Sequence, residues 1–342
     1  MKPSLAITIG DFNGIGPELA LKTVNHPLVK KLCTPVLVGP LSVFEQAARQ
    51  CRLRLKFEKT SFLLSRQNAR KSPGARIIQV VDAGDGIGAD IQYGIPTKAS
   101  GRSAGAALER AVELCNQGKL EAIVTSPSSK EALNMAGYSF PGQTEMIALL
   151  SHSQQVVMML VSEIMRVGLV TIHTALRNVA GQISKEKIVE KIIIIEKSLR
   201  RDFRIKKPRL AVLSLNPHAG EKGLLGTEDD AIVAPAIAEA RIQNIHAEGP
   251  FPGDAFFGRH AYTQYDAIVA MYHDQGLIPL KMSSFETGVN FSAGLKIVRT
   301  SPDHGTAYDI AGKNKANISS MLEAAKLAMK ILRNRRAYDA TA

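Results

Sequence analysis

The stretch SAGAALERAVELCNQGKLEAIVTSP, residues 103–127, contains the structural unit that decides the fold of this chain. Its first part places Ala104, Leu108 and Ala111 at helical spacing. Gly118 follows as a helix stop. The apolar run EAIV then has the length and composition of a buried strand, and it ends in the loop residues TSP. A helix followed directly by a buried strand predicts βα alternation and a mostly parallel sheet.

The same alternation recurs along the chain, with one exception. The runs SLAITIG (residues 4–10), TPVLVGP (residues 34–40) and AIVAM (residues 267–271) are short and apolar, and each precedes a helical pattern or a loop. In the exception, QVVMMLVSE and MRVGLVTIH are strand-like runs joined by a very short link around residues 163–165. Such a link predicts a hairpin and antiparallel pairing. We therefore expect an α/β fold with a mostly parallel sheet and an interleaved second domain that carries antiparallel strands.

Composition and charge limit the class of protein. The formal net charge is +12, which fits either a basic, soluble surface or attraction of an anionic ligand. The basic patches are short and lack interleaved aromatic residues, so nucleic-acid binding is not expected. The three cysteines show no C-x-x-C spacing, which predicts free thiols in a reducing compartment. The sequence has no signal-peptide pattern and no apolar run of membrane-spanning length, so we expect a cytoplasmic protein without membrane contact.

Three of the eight histidines share one context. His173, His218 and His273 each follow an apolar run, where loops leave the carboxyl ends of strands and where ligand sites of open α/β sheets lie. Any one of them could be a capping or hydrogen-bonded histidine. Together, three neutral imidazoles predict a metal site that keeps an open coordination position. We expect Asp274, next to His273, to hold its loop or to orient a neighbour.

The first loop, GDFNGIGPE at residues 10–18, resembles a dinucleotide-binding fingerprint only in part. The position that needs a third Gly or Ala is Leu19, and Glu18 is a poor neighbour for a pyrophosphate. An ordinary Rossmann site is therefore not expected here. Pro17 at the start of a helix still predicts that this loop opens a helix N-terminus, which could face a ligand.

Longer motifs resemble one known family. They are GDFNGIGPE, TSPSSKEALNMAGYSFPGQTE, NPHAGEKGLLGTED, YHDQGLIPLK and GVNFSAGLKIVRTSPDHGTAYDIAGK. Together they are similar to the 4-hydroxythreonine-4-phosphate dehydrogenases of pyridoxal 5′-phosphate biosynthesis, and the similarity covers nearly the whole chain. DHGTAYDIAGK also resembles the nucleotide loop of isocitrate and isopropylmalate dehydrogenases, so the resemblance implies their fold. It further implies a nucleotide-side domain from residues 1–127 and 276–342, and a dimerisation and metal/substrate domain from residues 128–275.

The resemblance assigns roles to individual residues. It implies a homodimer whose active site lies at the subunit interface, with one divalent metal bound by the three histidines named above. Zn is the expected metal, and Co, Ni, Mn or Mg are alternatives. The implied substrate contacts are Gln143, Thr144, Lys281, Asn290 and Arg299. The implied NAD contacts are His304, Gly305, Thr306, Ala307 and Asp309.

The implied reaction is oxidation of a phosphorylated hydroxy acid, 4-phosphohydroxy-L-threonine, followed by decarboxylation to 3-amino-2-oxopropyl phosphate. A metal at the substrate hydroxyl lowers its pKa, and Arg299 offers a bidentate fork to phosphate or carboxylate oxygens. Lys281 and Asp254 are the candidate catalytic residues. A surface ion pair is the alternative role for Lys281, and capping of a loop is the alternative for Asp254. Lys130 is a further candidate for contact with an anion.

Two motifs depart from the family pattern and leave the substrate open. Gln143 replaces the usual histidine of GHTE, and Phe12 and Asn13 stand where PA is common. D-threonate or D-erythronate 4-phosphate is an alternative substrate. An aromatic cis-dihydrodiol fits less well, because it has no phosphate for Lys281 and Arg299 to bind. A metal- and phosphate-binding protein without activity is the alternative that is not an enzyme.

Overall fold

The computed structural model describes residues 2–60, 77–84 and 90–341. The chain divides into two compact units. Unit 1 comprises Met1–His152 and Lys296–Met329, and unit 2 comprises Ser153–Leu295 and Lys330–Ala342. The predicted α/β class and the interleaved order are therefore seen directly, because each unit contains segments from two parts of the chain.

Unit 1 is built on parallel strands, as the βα alternation predicts. The strands are β1 (Ser4–Thr8), β2 (Thr34–Val38), β3 (Lys56–Lys59), β4 (Ile77–Val81), β5 (Ala122–Val124) and β12 (Val298–Pro302). Their order is β3-β4-β2-β1-β5-β12, and every neighbouring pair is parallel. The helices are α1 (Gly16–Asn25), α2 (Pro27–Leu32), α3 (Leu41–Gln50), α4 (Lys98–Asn116), α5 (Lys130–Met135) and α6 (Gln143–Leu150). The buried faces of β1, β2 and β5 form the centre of this core.

The stretch that defines the fold forms α4 and β5. The helix begins earlier than residue 103 because Thr97 and Ser100 form a reciprocal capping box at its N-terminus. It ends before Gly118, whose φ of +66° is favourable for glycine and strained for other residues. The predicted helix, its glycine stop and the following strand are confirmed.

Unit 2 combines parallel and antiparallel strands. They are β6 (Val157–Val161), β7 (Arg166–Leu169), β8 (Arg209–Leu213), β9 (His246–Phe251), β10 (Ala267–Ala270) and β11 (Val289–Ala293). Their order is β11-β6-β7-β10-β8-β9. The strand β6 is antiparallel to both of its neighbours, and β7, β10, β8 and β9 are parallel. The helices are α7 (Val179–Gln182), α8 (Lys185–Arg201), α9 (Ala234–Ile242), α10 (Gly253–Gly258) and α11 (His273–Ser284). The last helix, α12 (Ser319–Asp339), begins in unit 1 and ends in unit 2.

The predicted hairpin is the β6–β7 pair. Its turn is closed by Ser162, whose hydroxyl accepts hydrogen bonds from the backbone N–H groups of Ile164 and Met165. The Ser162 backbone N–H donates to the Met165 carbonyl at 2.9 Å. A serine that bonds the backbone two and three residues ahead is a common way to make a tight turn, so the antiparallel prediction is confirmed.

The bounds of the compact units differ from the predicted 127/128 and 275/276 divisions. Helices α5 and α6 pack on α4 and therefore lie in unit 1, while α11 packs on β7 and β10 and lies in unit 2. The functional division into a nucleotide side and a metal side stays a prediction. Among the described residues, no helix combines the length and apolar character needed to cross a membrane.

The three cysteines are free thiols, as their spacing predicts. Burial raises the pKa of Cys33 to about 12 and that of Cys51 to about 11. Both thiols therefore stay protonated at neutral pH, and protonated thiols are poor nucleophiles and poor metal ligands.

Candidate functional site

The carboxyl ends of three adjacent strands bring the predicted metal ligands to one edge of unit 2. Strand β10 lies between β7 and β8 and is parallel to both. The loops that leave these strands carry His173 after β7, His218 after β8 and His273 after β10. We call these three side chains the histidine edge.

Two members of the histidine edge lie close together. The ring centroids of His173 and His273 are 6.0 Å apart, and the rings are tilted by 42°. Pairing of β7 with β10 continues past the strands and positions these loops: the Val170 N–H donates to the Ala270 carbonyl, and the Thr171 hydroxyl donates to Met271 O at 2.7 Å.

The His273 ring is oriented by the carboxylate of the next residue. Its Nδ1 lies 2.7 Å from Oδ1 of Asp274, and His273 is the first residue of helix α11. A carboxylate on one ring nitrogen fixes the orientation of the imidazole and raises the basicity of the other nitrogen, which is the usual arrangement behind a bound metal. Asp274 thus contacts its neighbour in the way expected of an orienting residue.

His218 reaches the edge on a left-handed turn that the sequence did not reveal. Five consecutive residues, His218 to Lys222, have φ between +43° and +76°. Only glycine adopts this region without cost, and here four of the five residues carry side chains. Strained backbone of this kind persists where surrounding contacts fix it, and it concentrates at functional sites.

Two polar side chains hold the loop before that turn. The buried carboxylate of Asp229 accepts hydrogen bonds from the backbone N–H groups of Leu215 (2.7 Å) and Asn216 (2.9 Å). Gln275 accepts from the Met271 N–H at 2.7 Å and donates to the Ser214 carbonyl at 2.6 Å. It therefore ties the loop after β10 to the loop after β8. Sequence reasoning missed both residues, because side-chain bonds to the backbone of a loop leave no periodic pattern in the sequence.

The donor set fits a divalent metal in its chemistry. Imidazoles suit Zn, Co, Ni and Mn, and His173 and His273 lie near each other with one ring already oriented. Within the described part of this single chain, however, no group of three or more His, Cys, Asp or Glu side chains is close enough to hold a metal. The structure thus brings two of the predicted ligands together and places the third at the same edge.

The predicted anion contacts in unit 1 form a buried network around Arg299. This arginine lies on β12 and is 3% exposed. Its guanidinium donates to Thr125 Oγ1 from Nε (3.1 Å) and Nη2 (2.8 Å), to Thr144 Oγ1 from Nη1 (3.3 Å) and to Gln143 Oε1 from Nη2 (2.9 Å). Burial lowers the pKa of Arg299 to about 10, so the group remains cationic at neutral pH. The structure thus brings Gln143, Thr144 and Arg299 together and adds Thr125, which the sequence did not indicate.

The other predicted substrate and catalytic residues belong to unit 2. Lys281 is half-buried in α11, and Asn290 lies in β11. The Asn290 side-chain oxygen is buried and has no hydrogen-bond partner among the described residues. A buried acceptor without a donor is costly unless a ligand supplies one. Asp254 is exposed in the first turn of α10.

The predicted NAD loop, residues 304–309, packs against the first loop of unit 1. The carbonyl of Thr306 accepts from the Ile15 N–H at 3.0 Å, and Ala307 has a φ of +44°. His304, Gly305 and Asp309 are exposed. The first loop and the loop of residues 304–309 therefore form one continuous surface. The N-terminus of α1 lies beside the predicted nucleotide contacts on this surface.

A tyrosine and an aspartate that the sequence analysis missed join these loops. The Tyr308 hydroxyl donates to Oδ2 of the buried Asp11 at 2.8 Å, and the Asn13 N–H donates to Oδ1 at 2.9 Å. Burial raises the pKa of Asp11 above its ordinary value of 3.8, and the hydrogen bonds oppose that rise. Because 297 positions separate the partners, no local sequence signal could have paired them.

The unusual Asn13 has a structural explanation. Its side-chain nitrogen donates to the Ile95 carbonyl (3.0 Å) and to Thr97 Oγ1 (3.1 Å), and its oxygen accepts from the Gln92 N–H (2.8 Å). An alanine, common in the family pattern, makes none of these bonds. Asn13 therefore fastens residues 92–97 to the first loop in this chain.

Comparison with known proteins agrees with these features. The family model described as pyridoxal phosphate biosynthetic protein PdxA matches residues 31–328. A 4-hydroxythreonine-4-phosphate dehydrogenase of Geobacter metallireducens is 43% identical over 332 residues, covering 97% of this chain and 96% of that protein. A protein of Oceanobacillus iheyensis, provisionally named a D-threonate 4-phosphate dehydrogenase, is 38% identical and covers 96% of this chain and 98% of its own length.

Solved structures give the same result. The 4-hydroxythreonine-4-phosphate dehydrogenase of Klebsiella pneumoniae has 37% identity and a TM-score of 0.85, with 97% of this chain and 98% of that chain covered. Isocitrate dehydrogenase of Methylococcus capsulatus, at 11% identity and a TM-score of 0.51 over 98% of this chain and 88% of its own, shares the fold alone. The predicted fold class, family and dehydrogenase class are confirmed. Because the family model spans most of the chain and these relatives align along nearly all of it, the chain belongs to the PdxA family of pyridoxal phosphate biosynthetic proteins.

Proposed function

We propose that this protein oxidises 4-phosphohydroxy-L-threonine with NAD to the 3-oxo acid, which decarboxylates to 3-amino-2-oxopropyl phosphate. The observation that carries the proposal is the buried guanidinium of Arg299, held by hydroxyl and amide oxygens of Thr125, Gln143 and Thr144. A fixed, desolvated cation of this kind suits a phosphate or carboxylate, because charge-assisted bonds are strong where water is excluded.

Binding of the substrate needs both charges and neutral groups. Arg299 and Lys281 supply positive charge for the phosphate and carboxylate oxygens. The unpartnered Asn290 oxygen supplies an acceptor for a substrate O–H or N–H donor. Thr144, whose hydroxyl already accepts from Arg299, orients the guanidinium and can donate its own proton to the anion.

His173, His218 and His273 would hold the divalent metal, with Zn as the expected ion. When bound at the substrate hydroxyl, such an ion lowers the pKa of that hydroxyl and so eases loss of its proton. Asp274 keeps the His273 ring in place through its contact with Nδ1. Asp229 and Gln275 fix the backbone of the loop before His218.

Oxidation of an alcohol separates a proton from a hydride. A bound nicotinamide would accept the hydride of the carbon that bears the hydroxyl, and the proton would leave the oxygen. Asp254 is the candidate group that takes up this proton, whereas Lys281, the other candidate catalytic residue, acts through its positive charge on the substrate anion. The loop containing His304, Thr306 and Asp309 would bind the cofactor, and its contact with the first loop keeps it ordered for that task.

The protein would act as a homodimer whose active site lies at the subunit interface. Helix α11 begins with His273 and carries Lys281. It exposes apolar side chains at helical spacing, namely Ile278 (57%), Met282 (84%) and the C-cap residue Phe285 (77%). An exposed apolar stripe marks an interaction surface. Sedimentation of Met282→Glu beside Ile242→Glu, an exposed isoleucine on α9, tests this: only the α11 variant should yield monomers. Dimers in both variants would contradict it.

A substrate panel tests the proposed reaction. NADH formation is followed with 4-phosphohydroxy-L-threonine, D-threonate 4-phosphate, D-erythronate 4-phosphate and an aromatic cis-dihydrodiol. The proposal expects the highest kcat/KM for the first substrate. Preference for a threonate or erythronate phosphate would support the alternative suggested by Gln143 and by the Oceanobacillus relative. Absence of NADH with every compound would favour a binding protein without dehydrogenase activity. The cytoplasmic location stays a prediction.

A further inference from the structure

Gln143 lies between the guanidinium of Arg299 and the loop that follows β5. Its side-chain oxygen accepts from Arg299 Nη2 at 2.9 Å. Its side-chain nitrogen donates to Ser128 Oγ at 2.6 Å and to the Ser126 carbonyl at 3.2 Å. The amide is thus bonded at both ends. The bonds to Arg299 and to the Ser126 carbonyl can form together in only one orientation of the amide.

The partners at the two ends define what Gln143 does. Arg299 presents donors only, so its neighbour must present an acceptor. The Ser126 carbonyl presents an acceptor only, so its neighbour must present a donor. A primary amide meets both demands without a change of charge at any pH near neutrality. The polar atoms of its side chain are therefore directed at Arg299 and at the Ser126–Ser128 loop, and a substrate oxygen is not needed to satisfy them.

We propose that Gln143 is a positioning residue, which locks the Arg299 guanidinium through an uncharged bridge and so makes the anion affinity of this site independent of pH. The inference rests on the proposed function in that it assigns the anion to the phosphorylated substrate. It changes the expected role of Gln143 from a substrate contact to a support for the residue that makes the contact.

A histidine at this position would form hydrogen bonds that depend on its protonation state. Neutral imidazole has one acceptor and one donor, so it can form the same bridge. Protonated imidazole has two donors, and one of them then points at the cation of Arg299. Below the usual imidazole pKa of about 6.5, the bridge breaks and the guanidinium is repelled. In the same range, a histidine that contacted the anion directly would bind it more tightly, because it would add positive charge.

Several charged groups surround this position. Arg299 reaches it from β12, Glu145 lies two residues on in α6, and Lys130 at the start of α5 approaches the neighbouring Gly142. Helix α4, which packs on α6, carries Lys98, Arg102, Glu109, Arg110 and Glu113. The described hydrogen bonds of the Gln143 side chain go to Ser126, Ser128 and Arg299, so Arg299 is the charged group whose position depends on it directly.

The test is the affinity of the intact protein for inorganic sulfate, measured by calorimetry from pH 5.5 to 8.5. Sulfate keeps its charge throughout this range, and its binding requires neither NAD nor turnover. Wild type and Gln243→His, a control at an exposed glutamine, should show nearly constant Kd. Gln143→His should match wild type at pH 8.5 and lose about tenfold or more at pH 5.5, the loss of a charge-assisted bond. Gln143→Met should bind more weakly at every pH, without a pH trend.

The opposite outcome is equally clear. Affinity of Gln143→His that rises at low pH would show a direct anion contact and overturn the proposal, as would a flat profile equal to that of wild type. Thermal melting of each variant at both pH extremes identifies any loss that comes from unfolding. If sulfate binding behaves as expected while the substrate panel shows no oxidation, the proposed function fails and the positioning role stands.

Discussion

The arginine network of unit 1 and the histidine edge of unit 2 are organised in contrasting ways. Arg299 is buried, lies on a regular strand and is fixed by side-chain hydrogen bonds to partners more than 150 residues away. His173 and His218 are exposed and lie on loops. One of these loops is a strained left-handed turn. The contrast indicates that the proposed anion site is preformed, whereas the geometry of the proposed metal site depends on the loops that carry the histidines.

The largest expected effect is at the histidine edge. His273→Ala removes a proposed ligand and leaves Asp274 without its ring partner. We expect loss of bound metal and a fall in kcat of at least about 100-fold, since removal of a mere outer partner of a metal ligand already costs 10–100-fold. Metal analysis and NADH formation on the same sample measure both. His260→Ala, at an exposed histidine outside the edge, is the control. Unchanged metal content in His273→Ala would rule out this ligand.

The next effect concerns the arginine network. Arg299→Ala removes a buried cation and leaves the oxygens of Thr125, Gln143 and Thr144 without their donor. A bond to a charged group is worth about 1.5–3 kcal/mol, so kcat/KM should fall about 10–150-fold, mainly through KM. Arg299→Lys should recover only part of this, because an ammonium lacks the planar fork. Equal kcat/KM in Arg299→Ala and wild type would place Arg299 outside the site.

A smaller effect tests whether the loops of the histidine edge need external support. Asp229→Asn replaces one of two acceptors by a donor that faces the Leu215 or Asn216 N–H. Metal affinity, measured by competition with a chelator, should fall about tenfold. The Tm should fall as well, since a buried unpaired N–H costs about 1–3 kcal/mol. Asp230→Asn, at the neighbouring exposed carboxylate, should change neither. A lower Tm with unaltered metal affinity would mean that Asp229 supports the fold and not His218.

The smallest effect is a pH dependence in unit 1. Burial raises the pKa of Asp11 in the folded state above 3.8, so its protonated form favours folding. That contribution is complete below pH 3.8 and is lost as the pH rises through the folded pKa. Asparagine does not titrate. The free energy of unfolding of wild type, relative to Asp11→Asn, should therefore decrease between pH 3.5 and pH 7 in urea titrations. A difference that stays constant or grows with pH contradicts the raised pKa.

Local patterns in the sequence predict most of the fold. Helical spacing and the glycine stop predict α4, and the short link predicts the β6–β7 hairpin. Apolar runs followed by histidine predict that His173, His218 and His273 lie at strand ends. Each signal lies within a few residues of the feature it predicts, because backbone periodicity and turn chemistry are local.

The parts of the site that escaped prediction depend on distant or backbone partners. The bonds of Arg299 to Gln143 and of Tyr308 to Asp11 join residues 156 and 297 positions apart. The support that Asp229 gives to the backbone of the loop before His218 leaves no periodic pattern. The left-handed turn was equally hidden, since Ala219, Glu221 and Lys222 are not residue types that signal positive φ.

We propose that the activity of this dehydrogenase requires a metal held by the histidine edge. The most direct test follows NADH formation with 4-phosphohydroxy-L-threonine in three samples: protein with measured metal content, protein stripped by a chelator, and stripped protein with one equivalent of Zn restored. We expect turnover in the first, loss of at least about 100-fold in the second and recovery in the third. Undiminished turnover in protein shown to be free of metal would contradict the proposal.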